Sequence, residues 1–160
     1  MKNMPADYSD LPLFATLHEE HYWVRSQLIR EKRMPPTKIQ SSDDAATYIR
    51  EQISDYDREA FVVLSLSTRH SINAASIVHI GSATESVVDT SDILRVALYS
   101  NARCIIIAHN HPSGESSPSA EDRAVTKKVK EAAALLNVTL LDHIIIGANE
   151  YYSFADSGLL

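Results

Sequence analysis

Cysteine, glycine and long apolar runs are all scarce in this chain of 160 residues. The one cysteine, Cys104, stands within an apolar run, so a disulfide inside the chain is excluded and an ordinary buried thiol is favoured. No run reaches the ~18–20 apolar residues of a membrane span, and residues 1–7 lack the apolar core of a signal peptide. We therefore expect a cytoplasmic protein that does not enter a membrane.

An excess of positive charge is also missing. The 15 Lys and Arg residues against 21 Asp and Glu give a formal net charge of −6, which argues against broad binding to nucleic acid phosphates and leaves only a local basic patch open. The apolar fraction of 44% and the charged fraction of 22% are ordinary for a globular domain with a core. The length predicts one such domain with an added segment.

Local patterns predict helices and strands in an order that is typical of an α/β sandwich, a mixed sheet with helices on its faces. The predicted helices are Leu13–Arg33, ended by Pro35-Pro36; Ala45–Ile53 after an N-cap cluster at 41–44; one to Ser100 with Thr90 or Ser91 as its N-cap; and Ala120–Leu136. The predicted strands are Phe61–Leu66, Ile72–Ile80, Cys104–Ala108, Val138–Ile146 and Tyr151–Phe154, with a hairpin turn at 68–71 and a turn at Gly147.

The most informative stretch follows the predicted strand Cys104–Ala108. His109 and His111 stand two apart, so an extended backbone points both imidazoles to one side. Asp122 comes eleven residues after the second histidine, at a predicted helix start. Two neutral imidazoles and one carboxylate are the ligand set of a catalytic zinc that keeps a fourth position for water. Asp122 also fits a capping pattern with Ser119, and the two roles can use different carboxylate oxygens.

This stretch resembles the motif of the JAB/JAMM (MPN) metalloproteases, in which His-x-His-Pro is followed by a serine and then an aspartate at these distances. The longer string His-Asn-His-Pro-Ser-Gly, together with the later Leu141-Asp142-His143, is similar to the RadC branch of that family. The resemblance covers about residues 40–158. It implies the JAB/MPN, cytidine-deaminase-like α-β-α sandwich with a mixed central sheet. We accordingly divide the chain into an N-terminal tail and helix, 1–38, and a RadC-like JAB/MPN domain, 39–160.

The resemblance implies a zinc ion held by His109, His111 and Asp122. It also implies a general base at the start of the first core strand, which Glu59 matches, and a hydroxyl that steadies an oxyanion, which Ser119 matches. From the residues alone, Glu59 also fits a solvated charge at a strand edge, and Ser119 also fits a plain N-cap. Glu51 is a poorer candidate for the base because it falls on a predicted helix.

The other histidines have simpler explanations. His143, beside Asp142 in a predicted strand, fits either a core histidine with a local hydrogen bond or a group next to the metal. His18 and His21 lie three apart on the first predicted helix without an evident third ligand, and they fit a solvated helix face. They are not the pair of zincins, whose histidines lie about four apart, and one cysteine cannot supply the ligands of a zinc deaminase.

The N-terminal part departs from the longer RadC-like proteins, which carry a helix-hairpin-helix module with glycine in its hairpins. Residues 1–80 contain no glycine, so the chain resembles a short form that lacks this module. Cations crowd near the end of the first predicted helix, and they fit either a solvated helix end or a contact with a partner or nucleic acid. These cations are Arg25, Arg30, Lys32, Arg33 and Lys38.

We therefore expect a zinc-dependent metallohydrolase that cleaves a peptide or isopeptide amide with a metal-activated water. The alternative is a non-enzymatic RadC-like module that is associated with DNA repair or replication. The sequence does not name the protein or peptide substrate. An exposed apolar strand edge leaves a homo-oligomer open.

Overall fold

The computed structural model of the protein describes residues 38–53, 56–81 and 88–160. Within these ranges the chain forms three helices and five strands, and each agrees with a predicted element to within a few residues. Their order is α1 (Ser42–Ile53), β1 (Glu59–Leu66), β2 (Ile72–Gly81), α2 (Thr90–Tyr99), β3 (Cys104–Asn110), α3 (Ala120–Leu135), β4 (Thr139–Ile146) and β5 (Tyr151–Ser153). None of the helices in these ranges is long and apolar enough to cross a lipid bilayer.

Several predicted features lie outside these ranges. The first predicted helix, Leu13–Arg33, lies there, and so do His18 and His21. The same holds for the cluster of cations with the exception of Lys38, which forms an isolated antiparallel bridge to Ser71. The interpretations of this segment stay predictions.

The strands form one mixed sheet in the order β2-β1-β3-β4-β5. β1 runs antiparallel to both of its neighbours, β3 and β4 are parallel, and β5 runs antiparallel to β4. Two parallel neighbours need a crossover connection, and α3 supplies it. The predicted turn at 68–71 joins β1 to β2, and the predicted turn at Gly147 joins β4 to β5.

Helices cover both faces of this sheet, as the predicted α-β-α sandwich requires. α1 packs Ile49 against one face, where Leu64 of β1 is buried. α2 and α3 cover the other face, where the preceding strand residue, Val63, packs with Ile93 and Val129. β1 and β3 are buried on both faces, which explains why their sequences are continuous apolar runs instead of alternating ones.

The N-cap of α2 is Asp89, so the prediction of Thr90 or Ser91 was wrong. Asp89 keeps an extended backbone, and its carboxylate accepts a hydrogen bond of 2.9 Å from the backbone N–H of Ser91. That bond lowers the pKa of Asp89. Thr90 is already helical and buried, so its side chain packs inward instead of capping. Three good capping residues in a row left the choice open in the sequence.

β2 forms one edge of the sheet. It is ten residues long, and along it exposed and half-buried residues are mixed, whereas β1 beside it is buried along nearly its whole length. Ile80 is a large apolar side chain that is half exposed on this strand. Pairing of this edge with a second copy of the chain stays a prediction.

Candidate metal centre

The two predicted histidine ligands lie at the end of β3. His109 is the next-to-last residue of the strand and is fully buried, and His111 follows the strand directly. Their ring centroids are 4.8 Å apart, and their Nε2 atoms are 3.0 Å apart. Both rings therefore lie on one side of the backbone, as the two-residue spacing predicts.

Asp122, in the first turn of α3, brings the carboxylate to the same point. Its Oδ1 lies 3.1 Å from Nε2 of His109, and its Oδ2 lies 3.6 Å from Nε2 of His111. Each of the three side chains offers a ligand atom within 4.8 Å of the others, and no other such group occurs in the part of the chain that the structure describes. The predicted cluster of His109, His111 and Asp122 can therefore hold a metal ion.

The separations suit a single small cation. With bonds of about 2.0–2.1 Å, the ligand atoms of a tetrahedral zinc ion lie roughly 3.3 Å apart. The Nε2 atoms of the two histidines are 3.0 Å apart and Oδ1 of Asp122 lies 3.1 Å from His109, both close to that value, and the other carboxylate oxygen, Oδ2, lies 3.6 Å from His111. Imidazole and carboxylate ligands also suit other transition metals, so the choice of zinc stays a prediction.

The predicted capping role of Asp122 is confirmed, and its use as a metal ligand stays a prediction. Ser119 is the N-cap of α3, and its backbone N–H and hydroxyl each donate a hydrogen bond of 2.7 Å to Oδ2 of Asp122. The backbone N–H of Asp122 donates back to the Ser119 hydroxyl at 3.0 Å. This capping box leaves Oδ1 facing His109. The helix start therefore fixes the carboxylate with Oδ1 towards His109.

The contacts within this cluster stabilise the carboxylate form of Asp122 and the protonated form of His111. Burial alone would raise the pKa of Asp122, but the His109 and His111 side chains beside its carboxylate outweigh burial and hold that pKa well below its usual range. The Asp122 carboxylate beside it raises the pKa of His111 above its ordinary value of 6.5, against the burial that would lower it. A metal ion must therefore compete with a proton for His111.

His143 lies directly behind His109. A position next to the metal cluster is one of the two explanations that the sequence allowed for this histidine. The ring is fully buried, and its Nε2 lies 3.0 Å from Nδ1 of His109. Its Nδ1 lies 2.6 Å from the hydroxyl of Thr126, a residue of α3 that the sequence analysis did not single out. Asp142 contacts only the backbone of His143, by accepting its N–H at 2.8 Å. Burial lowers the pKa of His143 well below 6.5 and keeps the ring neutral.

Glu59, the predicted base, is the first residue of β1 and is half-buried. Because β1 pairs with β3 in the register Phe61↔His109, the start of β1 meets the end of β3. Phe61 stacks on the His109 ring with centroids 5.7 Å apart, and Glu59, two residues earlier, belongs to the same face of the sheet. The charge of Glu59 also contributes to the raised pKa of His111. Glu51, in contrast, lies exposed on α1.

Asn110 joins the ends of β1 and β3, a function that the sequence analysis missed. Its Oδ1 accepts a hydrogen bond of 2.7 Å from the backbone N–H of Ala60, and its Nδ2 donates one of 3.0 Å to the carbonyl of Arg58. These are the two neighbours of Glu59 in the chain. The available signal was the position of Asn110 between the two histidines, which turns its side chain away from theirs.

Comparison with protein families matches residues 39–159 to the RadC-like JAB domain. The chain belongs to this family. The match, the mixed sheet and the α-β-α layers agree with the fold that the motif implied. The site residues of this RadC-like JAB domain and its boundary at residue 38 stay predictions.

Relatives of similar sequence occur in distant bacteria. A protein of Coxiella burnetii is 40% identical over 148 residues, which cover 92% of this chain and 64% of the relative. Proteins of Alkaliphilus metalliredigens and Chlorobium phaeovibrioides are 39% and 37% identical over 123 and 129 residues, or 77% and 81% of this chain and 53% and 58% of theirs. The chain thus spans between half and two thirds of their length. All three are called UPF0758 protein, a name that states no activity.

In this RadC-like JAB domain a close glycine contact supports the loop after β3. Nδ1 of His111 donates a hydrogen bond of 2.7 Å to the carbonyl of Glu115 in that loop. The loop passes so near to the turn after β4 that a Cβ on Gly147 would lie 2.7 Å from the carbonyl oxygen of Gly114. Gly114 itself has a φ of +85°, which favours glycine. Gly147 therefore allows the close approach that keeps Glu115 beside His111.

Proposed function

We propose that this RadC-like JAB domain is a zinc-dependent hydrolase that cleaves a peptide or isopeptide amide. The observation that carries the proposal is the convergence of His109, His111 and Asp122 at separations that suit a tetrahedral ion with three protein ligands. Three protein ligands leave one position for a water or substrate oxygen, which is the pattern of catalytic and not of structural zinc. Membership of the RadC-like JAB family supports the choice of an amide substrate.

When bound, zinc in such a site lowers the pKa of a water molecule and polarises a carbonyl group. Glu59 accepts the proton of the attacking water on its carboxylate and then delivers it to the leaving amine nitrogen. His109 is completely buried, whereas the side chains of His111 and Asp122 are 19% and 13% exposed. The substrate therefore approaches from the side of His111 and Asp122.

Ser119 has a supporting part in this scheme. Its hydroxyl proton is donated to Asp122 at 2.7 Å, so its first effect is to orient the carboxylate. The role in steadying the oxyanion requires this hydroxyl to turn from Asp122 to the substrate oxygen. We propose the orienting role for the resting protein and keep the oxyanion role as a separate prediction.

The test compares Glu59→Gln with the parent protein and with Glu51→Gln, a matched control on the exposed surface of α1. Each protein is stripped of metal, reloaded with zinc, analysed for metal content and assayed on peptide and isopeptide libraries. We expect about one zinc per chain in all three proteins, with activity reduced by roughly 10²–10⁴-fold in Glu59→Gln only. Zinc-loaded parent protein that cleaves nothing would support the non-enzymatic alternative. Full activity in Glu59→Gln would remove Glu59 from the mechanism.

A further inference from the structure

We propose that Thr126 and His143 fix the tautomer of His109, so that its proton stays on Nδ1 and a bare Nε2 is presented to the metal. The three residues form one chain of hydrogen bonds behind the site, from α3 through β4 to β3. Thr126 and His143 are then positioning residues, since neither contributes a ligand atom. The inference rests on the proposed function only for the use of His109 as a ligand.

Thr126 determines the direction of donation along this chain of hydrogen bonds. Its Oγ1 lies 2.6 Å from the backbone carbonyl oxygen of Asp122 and 2.6 Å from Nδ1 of His143. A carbonyl oxygen can only accept, so the single hydroxyl proton of Thr126 is donated to Asp122. The contact with His143 is then a hydrogen bond only if Nδ1 of His143 carries a proton and donates it to the hydroxyl oxygen.

The tautomer of His143 in turn determines the tautomer of His109. Its ring is fully buried and lies between two aromatic rings, with Phe154 stacked at 4.9 Å and Phe61 tilted at 5.8 Å between centroids. Such surroundings disfavour a second proton, so a ring that is protonated on Nδ1 has a bare Nε2. That Nε2 is 3.0 Å from Nδ1 of His109 and must accept from it. When Nε2 of His109 and the Asp122 carboxylate, 3.1 Å apart, share a metal ion, the proton of His109 therefore stays on Nδ1.

The two histidine ligands obtain the same tautomer by different means. Nδ1 of His111 donates directly to the backbone carbonyl of Glu115 at 2.7 Å, which is a common arrangement around metals. His109 has a neutral histidine in that place, and a neutral histidine can donate or accept. Only the hydroxyl of Thr126 removes this ambiguity. Because this control is exerted by side chains, it can be altered by mutation.

The same chain of hydrogen bonds also links two of the proposed ligands, Asp122 and His109, to each other. Thr126 donates to the backbone carbonyl of Asp122, one helical turn earlier in α3, and thereby connects the helix start to the His109 ring. Outer hydrogen bonds of this kind typically change metal affinity by about 10–100-fold when they are lost. We expect an effect of that size from the Thr126 hydroxyl, although it does not belong to the ligand set.

The first experiment needs no mutation. Zinc-loaded protein with ¹⁵N-labelled histidine is examined by long-range ¹H–¹⁵N correlation NMR, which distinguishes the tautomers of each ring. We expect His143 to carry its proton on Nδ1, as the donor to Thr126, and His109 to carry its proton on Nδ1 with its Nε2 on the metal. A proton on Nε2 of either ring would overturn the proposal.

The second experiment compares Thr126→Val with Thr126→Ser, which keeps a hydroxyl. Zinc affinity is measured by competition with a chromophoric chelator, and folding is checked by the thermal midpoint of the metal-free proteins. We expect zinc binding to weaken by about 10–100-fold in Thr126→Val and to change little in Thr126→Ser. Undiminished affinity in folded Thr126→Val would overturn the proposal, and if this variant does not fold, the NMR result decides. Neither readout uses activity, so the outcome is separate from that of Glu59→Gln.

Discussion

Asn110 holds the backbone on both sides of Glu59. One amide group accepts from Ala60 and donates to Arg58, and both bonds cross from the end of β3 to the start of β1. The catalytic part proposed for Glu59 therefore depends on a residue whose side chain points away from the metal.

The first prediction concerns Asn110→Asp, which keeps the acceptor for Ala60 but loses the donor to Arg58. Two oxygens then face each other in a buried place, and we expect a loss of about 1–3 kcal/mol in the free energy of unfolding. A displaced Glu59 should lower kcat up to about 10²-fold with zinc content unchanged. Asn73→Asp on the exposed β2 edge is the matched control, since only one long contact of 3.4 Å is lost there. Parent-like kcat in Asn110→Asp would contradict this role.

The second prediction separates the two functions of Ser119. Ser119→Ala removes the cap of α3 and one donor to Asp122, so we expect a loss of about 1 kcal/mol in stability and weaker zinc binding. Ser41→Ala is the matched control, because Ser41 and Asp44 form the same reciprocal bonds at the start of α1, far along the chain from the metal ligands. It should lose similar stability and keep its zinc affinity.

Kinetics at saturating zinc then test the oxyanion role of Ser119. If the hydroxyl reaches the substrate oxygen, kcat falls by a further roughly 10²–10³-fold even when every site is loaded. If kcat recovers fully with added zinc, Ser119 only orients Asp122.

The third prediction concerns Gly147→Ala. The added methyl group would meet three backbone atoms, at 2.7 Å from Gly114, 3.2 Å from Ser116 and 3.3 Å from Glu150. Backbone atoms cannot turn aside as a side chain does, so the loop must move, at a cost of about 1–3 kcal/mol. We expect zinc affinity to fall as well, because Glu115 belongs to this loop. Gly158→Ala, whose methyl group would meet nothing within 4 Å, should be destabilised by its positive φ alone and bind zinc normally.

The fourth prediction concerns pH and the metal-free protein. The pKa of His111 is raised in the fold, so its contribution to stability is complete below the unfolded value of 6.5 and is lost as pH rises through the higher folded value. We expect the stability difference between the parent and His111→Gln, measured by urea denaturation, to shrink as pH rises above 6.5. A difference that is constant or grows would contradict the paired state of His111 and Asp122.

His143 should produce the opposite dependence on the acid side. Its pKa is lowered in the fold, so stability is complete above 6.5 and is lost as pH falls, because only the unfolded chain takes up the proton. His143→Gln should therefore flatten the decline below pH 6.5. The exposed His70 provides a control as His70→Asn, since asparagine tolerates its positive φ.

The cluster of His109, His111 and Asp122, whose use as metal ligands stays a prediction, could be anticipated from the sequence because local rules orient its members. The spacing of His109 and His111 sets the common side on a strand, and Ser119 with Asp122 marks a helix start. The contacts of Asn110 and Thr126 could not be predicted in this way. They depend on which residue of one element faces which residue of another, as in the pair Phe61↔His109, and on an irregular register between β3 and β4.

The antiparallel pairing of β1 with β3 has a consequence for how the centre comes into being. Glu59 and the two histidines are about fifty positions apart in the chain and become neighbours only when these strands pair. A slip of one position would turn Glu59 to the opposite layer while leaving an apolar run that still packs. A molecule with this shifted register would be compact, but it would lack the function proposed for the centre. The side-chain amide of Asn110 can form both of its hydrogen bonds only when Ala60 and Arg58 lie in the correct register. These two bonds therefore favour the correct register over the shifted one.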